Sequence, residues 1–193
     1  MPKRAGENFE KVEVRSRAEW RAWLAANHGQ SASIWLVTCR KHHPDHVPYE
    51  DTVREALCFG WIDSVPRKVD EDRTSHLMSP RKSSSAWSGI NKRYVAELEA
   101  EGLMAEPGRV AIERARANGM WSFLDDVERL EVPPDLAAAF EAVPGSREAW
   151  DGFPPSARRG ILAWIKLARR AGTRATRIEK TALEAAEGRR AIG

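Results

Sequence analysis

Residues 55–91, EALCFGWIDSVPRKVDEDRTSHLMSPRKSSSAWSGIN, constrain the fold more than any other stretch of the chain. They begin inside a helix predicted over 49–59, with Val53, Ala56 and Leu57 on its inner face. Gly60 supplies a left-handed exit from that helix. Two short extended runs follow, 61–69 and 74–79, joined by the acidic turn Asp70-Glu71-Asp72, which is a hairpin signal. Pro66 cannot donate to a ladder and places its strand at an edge or a bulge. Ser85 or Ser88 then caps a helix carrying Ile90, Tyr94, Val95 and Leu98. Helix, hairpin and helix in this order call for an α+β fold with a small antiparallel or mixed sheet and packed helices.

The flanks extend that pattern. Residues 7–14 alternate as an edge strand, and Ser16 with Glu19 forms a capping box for a helix over 17–27. The β-branched and aromatic run 33–38 reads as a strand continuing toward Arg40. After Gly102, a short helix with Pro107 in its first turn carries Val110, Ile112 and Ala115 and closes at Gly119. Residues 120–133 are a connector with Trp121 and Phe123 buried. From Pro134 the pattern is helical throughout. Leu136, Phe140 and Val143 mark one helix, and Pro144-Gly145 breaks it. Ser146 caps a short one with Trp150 and Phe153. A longer helix runs from Pro154-Pro155 to about Arg170 with Ile161, Trp164, Ile165 and Ala168 on one stripe. Gly172 breaks it, and Thr173 or Thr176 caps the last. The expected domains are 1–132, α+β and carrying the central motif, and 133–193, a helical C-terminal subdomain.

Composition sets the bounds. A chain of 193 residues with 42% hydrophobic and 31% charged residues can build both a core and a solvated surface. The net charge of +3 is spread along the chain and does not by itself indicate nucleic acid. No run approaches the roughly 18 apolar residues of a membrane span, and the charged N-terminus lacks a secretory core, so a cytoplasmic location is expected. Cys39 and Cys58 are the only cysteines, which fits two buried thiols and not a disulfide framework. Eight tryptophans imply core or groove walls. His42, His43 and His46 lie in a Pro-bounded loop, but no cysteine or carboxylate completes a metal shell, so no metal or cofactor is assigned.

The central stretch also concentrates chemistry. Arg81 and Lys82 follow Pro80 and precede three serines and a helix start; a planar fork, a point charge and free backbone N–H groups suit a phosphate or carboxylate. Trp61 and Trp87 offer flat apolar walls, and Asn91 lies about one turn beyond Ser88. The candidate ligand-binding residues are therefore Trp61, Asp63, Lys68, Arg81, Lys82, Ser85, Trp87, Ser88 and Asn91. The alternative is a polar network in which Asp63 pairs with Arg81 or Lys68 and the indoles are core. No catalytic residue is assigned. Cys58 sits between apolar neighbours, no nucleophile elbow surrounds a serine, and no glycine-rich phosphate loop occurs.

The order GWIDS (60–64), PRK (80–82), SAWS (85–88) and Asn91, with EGLM (101–104), NGMW (118–121) and the helical segment 154–178, resembles the YdeI/OmpD-associated family, also called bacteriocin-protection proteins. The resemblance covers roughly residues 9–185. It maps the family's motif onto Gly60, Trp61, Asp63, Lys68, Asp70, Pro80, Arg81, Lys82, Ser85, Trp87, Ser88 and Asn91. It implies an α+β N-terminal portion with a helical tail, and a role in tolerance to bacteriocins or antimicrobial peptides; it implies no reaction. Thr74 and Met78 stand where an aromatic is more usual. The leading expectation is a non-enzymatic stress-tolerance protein with an anion-accepting groove for a small ligand. A second is nucleic-acid binding by Arg158, Arg159, Lys166, Arg169, Arg170, Arg174 and Arg177. A third is a small-molecule enzyme using Asp63 or Asp70 as acid or base.

Overall fold

The computed structural model describes residues 9–192, and the chain divides into two compact units between Ser122 and Phe123. The first is built as β1 (Glu10–Glu13), α1 (Arg17–Asn27), β2 (Ile34–Cys39), α2 (Tyr49–Cys58), β3 (Trp61–Lys68), β4 (Arg73–Pro80), α3 (Gly89–Ala100) and α4 (Glu106–Ala117). The sheet order is β1-β2-β4-β3. β1 runs parallel to β2 through the α1 crossover, and the other pairs are antiparallel, so the α+β fold carries a mixed sheet. Of the edge strand expected over 7–14, Glu10–Glu13 is strand; residues 7 and 8 lie outside the described residues.

Local chemistry explains the boundaries. The Ser16 hydroxyl accepts from the Glu19 N–H, and the Glu19 carboxylate accepts from the Arg15 N–H, which together start α1. Gly60 leaves α2 at φ +74°. The hairpin slips register between Asp63 and Pro66, the irregularity that Pro66 requires. β2 is buried along its whole length because both its faces are covered. Ile34 and Leu36 meet the core of α1 and α2, with Trp20, Leu24, Val53 and Leu57. On the opposite face the Arg67 guanidinium lies over Trp35 at 4.2 Å. Buried indoles keep a polar partner: Trp20 donates to the Thr52 carbonyl (3.0 Å) and Trp61 to that of His28 (3.1 Å).

The second unit is helical: α5 (Asp125–Glu128), α6 (Pro134–Ala142), α7 (Ser146–Asp151), α8 (Pro155–Lys166) and α9 (Ala171–Ala186). Leu136, Phe140, Trp150, Ile161, Leu162, Ile165, Ile178 and Ala182 are among its buried apolar residues. The helical unit departs from the sequence pattern at several points. The connector contains α5, and it is Leu124 and Val127 that are buried, while Trp121 and Phe123 are only half-buried. α7 is capped by Gly145 at φ +77°; the Ser146 hydroxyl instead donates back to the Val143 carbonyl at 2.7 Å. α8 ends at Lys166, and α9 begins at Ala171 with Gly172 inside its first turn. Thr176 caps nothing, because its hydroxyl donates to the Gly172 carbonyl at 3.1 Å within the helix. Among the described residues no helix is long and apolar enough to cross a membrane.

Candidate functional site

The side chain at the centre of the motif is Arg81. Its backbone N–H donates to the Gly60 carbonyl (2.9 Å), so the end of β4 is tied to the turn that opens β3. The loop beyond it is held from α4's far end: the Asn118 side-chain amide donates to the Ser83 carbonyl (2.8 Å), and the Trp87 N–H to the Met120 carbonyl (3.3 Å). This folds the loop back over the arginine. The guanidinium lies on the Trp87 ring, 3.7 Å from its centroid, and only 8% of the residue is exposed.

That guanidinium is poorly satisfied. Nη1 donates to the Ala86 carbonyl at 3.3 Å, while the Nε and Nη2 N–H groups are buried without a partner. No carboxylate of the described residues pairs with it. Burial pulls its pKa down to about 10, opposed by the field of the Asp63 carboxylate, so the group remains a cation at neutral pH. Beside it lies a cavity of about 10 Å³ lined by Lys82, Ser83, Trp87, Ala111, Arg114 and Ala115. That is room for one water-sized atom. Two further cations, Arg116 and Lys92, lie over the neighbouring Trp121 ring at 5.1 and 5.5 Å, and Trp121 packs on Trp87 at 5.1 Å.

The structure brings together Arg81, Lys82 and Trp87 from the predicted set. The other members lie elsewhere or do other work. Trp61 is fully buried and walls no opening. Asp63 accepts the Tyr49 hydroxyl. Lys68 pairs with Glu71 across the hairpin turn. Ser85 donates its N–H to the Lys82 carbonyl within a turn (2.9 Å). Ser88 caps α3 by accepting from the Asn91 N–H, which leaves that end of α3 outside the cavity. Where an anion-accepting groove reaching the start of α3 is expected, the space beside Arg81 is a narrow socket lined from α4. Ala111 and Arg114 were not foreseen: they lie some thirty residues along the chain, and nothing in their local pattern sets them apart from a solvated helix face.

The remaining candidate groups are occupied structurally. Asp70 accepts from the backbone N–H groups of Asp72 and Arg73 and from the Arg73 guanidinium, which holds its carboxyl below the usual range. His42 faces Asp72 (3.0 Å), His43 accepts from the Asp45 N–H, and His46 donates to the Cys39 carbonyl (2.8 Å). Cys39 and Cys58 are buried free thiols, and burial raises the pKa of both. In the helical unit Arg158, Arg159, Lys166 and Arg174 pair with Asp151, Glu128, Asp126 and Asp135, and Arg177 donates to the Trp164 carbonyl. Most of the basic face is thus charge-balanced in place.

Fold and site together define a mixed-sheet α+β unit with a cation-lined socket, followed in the chain by a separate helical unit. The chain belongs to the family described as Domain of unknown function (DUF8412), which it matches over residues 12–111, from β1 into α4 and across the whole central motif. Residues 129–188, in the helical unit, match the family described as Bacteriocin-protection, YdeI or OmpD-Associated (OmdA). No curated protein and no solved structure matches the chain.

Proposed function

We propose that this chain is a non-catalytic binding protein for a small oxyanion or acidic group, with Arg81 as its buried anchor, and that it serves the protective role named by the family matched at 129–188. The observation that carries this reading is the pair of buried, unpartnered N–H groups on a guanidinium that has no carboxylate counter-ion among the described residues. A buried cation without a partner is costly, and an orphaned buried donor costs about 1–3 kcal/mol. One terminal oxygen of a phosphate, sulfate or carboxylate entering the socket would satisfy both donors, while the rest of the anion stays between Lys82 and Arg114 at the mouth. The planar fork suits that geometry, and the Trp87 face fixes its plane.

Thermal unfolding with sulfate, phosphate, nucleotides and acidic metabolites at constant ionic strength tests this. A ligand at a hundredfold excess over its Kd stabilises by about 2.7 kcal/mol, which is several degrees in Tm. That shift is expected to vanish in Arg81→Met and to shrink in Lys82→Ala and Arg114→Ala, which alter only the exposed mouth. Equal shifts in wild type and all three variants, or no shift with any anion, would overturn the reading.

A further inference from the structure

A larger cavity lies elsewhere in the first unit, at the end of the sheet's core face that α2 leaves open. It has a volume of about 550 Å³, inside the range of roughly 300–1,000 Å³ for small-molecule sites. Its walls come from the end of β2, the 40–47 loop, the first residue of α2 and the middle of β4. The cavity has two chemically different ends.

One end is flat and uncharged. The Tyr49 and His76 rings lie 4.7 Å apart with 34° between their planes. The Tyr49 hydroxyl donates to Asp63, which fixes the ring, yet 49% of the residue remains exposed to the cavity side and solvent. Burial keeps His76 neutral at physiological pH, against the pull of Asp63. Burial and the Asp63 bond likewise hold the Tyr49 phenol protonated. Two neutral rings make a stacking wall.

The other end is cationic and unpaired. The Arg40 guanidinium makes one long contact, to the Arg73 carbonyl at 3.4 Å, and neither it nor the Lys41 ammonium has a carboxylate within 4.0 Å among the described residues. The carboxylate lining the cavity, Glu71, is engaged by Lys68. The Asp72 carboxylate faces His42 at 3.0 Å and, like that of Glu71, is not paired with Arg40 or Lys41. Thr38 lines the cavity between the two ends, beside His42 and Thr74, whose hydroxyl donates to the Arg67 carbonyl (3.1 Å).

We infer that this cavity is a second ligand site, for a small molecule joining a planar aromatic ring to a phosphate or carboxylate: the ring stacks on Tyr49 and His76, and the anionic group reaches Arg40 and Lys41. It shares no lining residue with the Arg81 socket, so either site can exist without the other.

Calorimetric titration of the full chain with adenosine monophosphate and with phenyl phosphate tests the assignment, with adenosine and inorganic phosphate as the separated halves. At least one ring-bearing phosphate is expected to bind at least about tenfold more tightly than either of its halves, a difference of about 1.4 kcal/mol. Arg40→Ala/Lys41→Ala is expected to lose that tenfold while leaving adenosine unchanged. Tyr49→Ala weakens both the ring-bearing phosphate and adenosine, and Tyr49→Phe, which keeps the ring, restores them. Arg81→Met leaves this binding intact, which separates a failure here from a failure of the socket. The inference is overturned if neither ring-bearing phosphate binds at millimolar concentration, if binding survives Arg40→Ala/Lys41→Ala, or if it disappears with Arg81→Met alone.

Discussion

Gly108→Ala reverses the sign that helix propensity assigns to it. Gly108 is the third residue of α4, and in a helix alanine is favoured over glycine by about 0.8–1.0 kcal/mol. The tertiary structure allows no side chain there. A Cβ on Gly108 would lie 2.3 Å from the Cys58 carbonyl oxygen and 2.7 Å from both the Cys58 carbon and the Leu57 oxygen. These are backbone atoms at the end of α2, and no rotamer change moves them. Normal contact requires α4 to recede by about 1 Å, which strains the Ala105 N–H bond to the Cys58 carbonyl (3.2 Å). It also loosens the seat of Pro107 against Gly60, where the carbonyl already lies 3.0 Å from where a Cβ would stand. Overpacking costs about 1–3 kcal/mol and the hydrogen bond about 1. Subtracting the propensity gain leaves a net destabilisation of about 1–3 kcal/mol. Urea unfolding followed by tryptophan fluorescence reads this in the right unit, since six of the eight indoles precede residue 122. The midpoint is expected to fall by about 1 M. Gly29→Ala, which meets nothing within 4 Å, is the control and should shift stability by no more than about 0.5 kcal/mol. A Gly108→Ala midpoint at or above wild type would refute the packing argument, and with it the placement of Ala111 and Arg114 beside Arg81.

Two further outcomes follow from buried charge. Glu55 is 1% exposed and accepts from Arg17 (2.6 Å) and Arg21 (2.7 Å), so Glu55→Ala leaves Arg21 without a carboxylate and Arg17 with Asp51 alone (3.4 Å) and should cost about 3 kcal/mol, against at most about 1 for Arg17→Ala at the rim, measured by the same urea titration. His76 is held neutral by burial, so its folded pKa lies below the ordinary 6.5; the unfolded chain then binds more protons between those two values, and stability falls as pH drops through that window and is flat above it. His76→Gln should flatten the acid limb of a Tm-against-pH curve, and an unchanged limb would show that the imidazole is not desolvated.

Much of the scaffold was legible locally. Gly60, the acidic hairpin turn, Pro66, Ser16 with Glu19, and Ser88 act within a few residues of themselves, through backbone freedom, a missing donor or a cap. Apolar spacing likewise located α1, α2, α3 and α8, because burying one stripe is a one-dimensional constraint. The starts of α7 and α9 were misjudged for the same reason in reverse: Ser146 and Thr176 are good caps by type, but each found a nearer carbonyl within its own turn.

The sequence by itself determined that an α+β unit precedes a helical one and where the strands of the hairpin and the helices flanking it begin, and it set Arg81 and Trp87 close together as candidates. It could not say which way Arg81 points. The tertiary structure decided that, by folding the 82–88 loop onto Asn118 and Met120 and closing α4 over the guanidinium, so that a surface-type cation became a buried one with idle donors. It also gathered Arg40, Tyr49 and His76, which no motif links, at one open end of the sheet. Local rules fix backbone geometry because they act between near neighbours. A binding site is set by which distant side chains share a small volume, and strand pairing and helix packing alone make that choice.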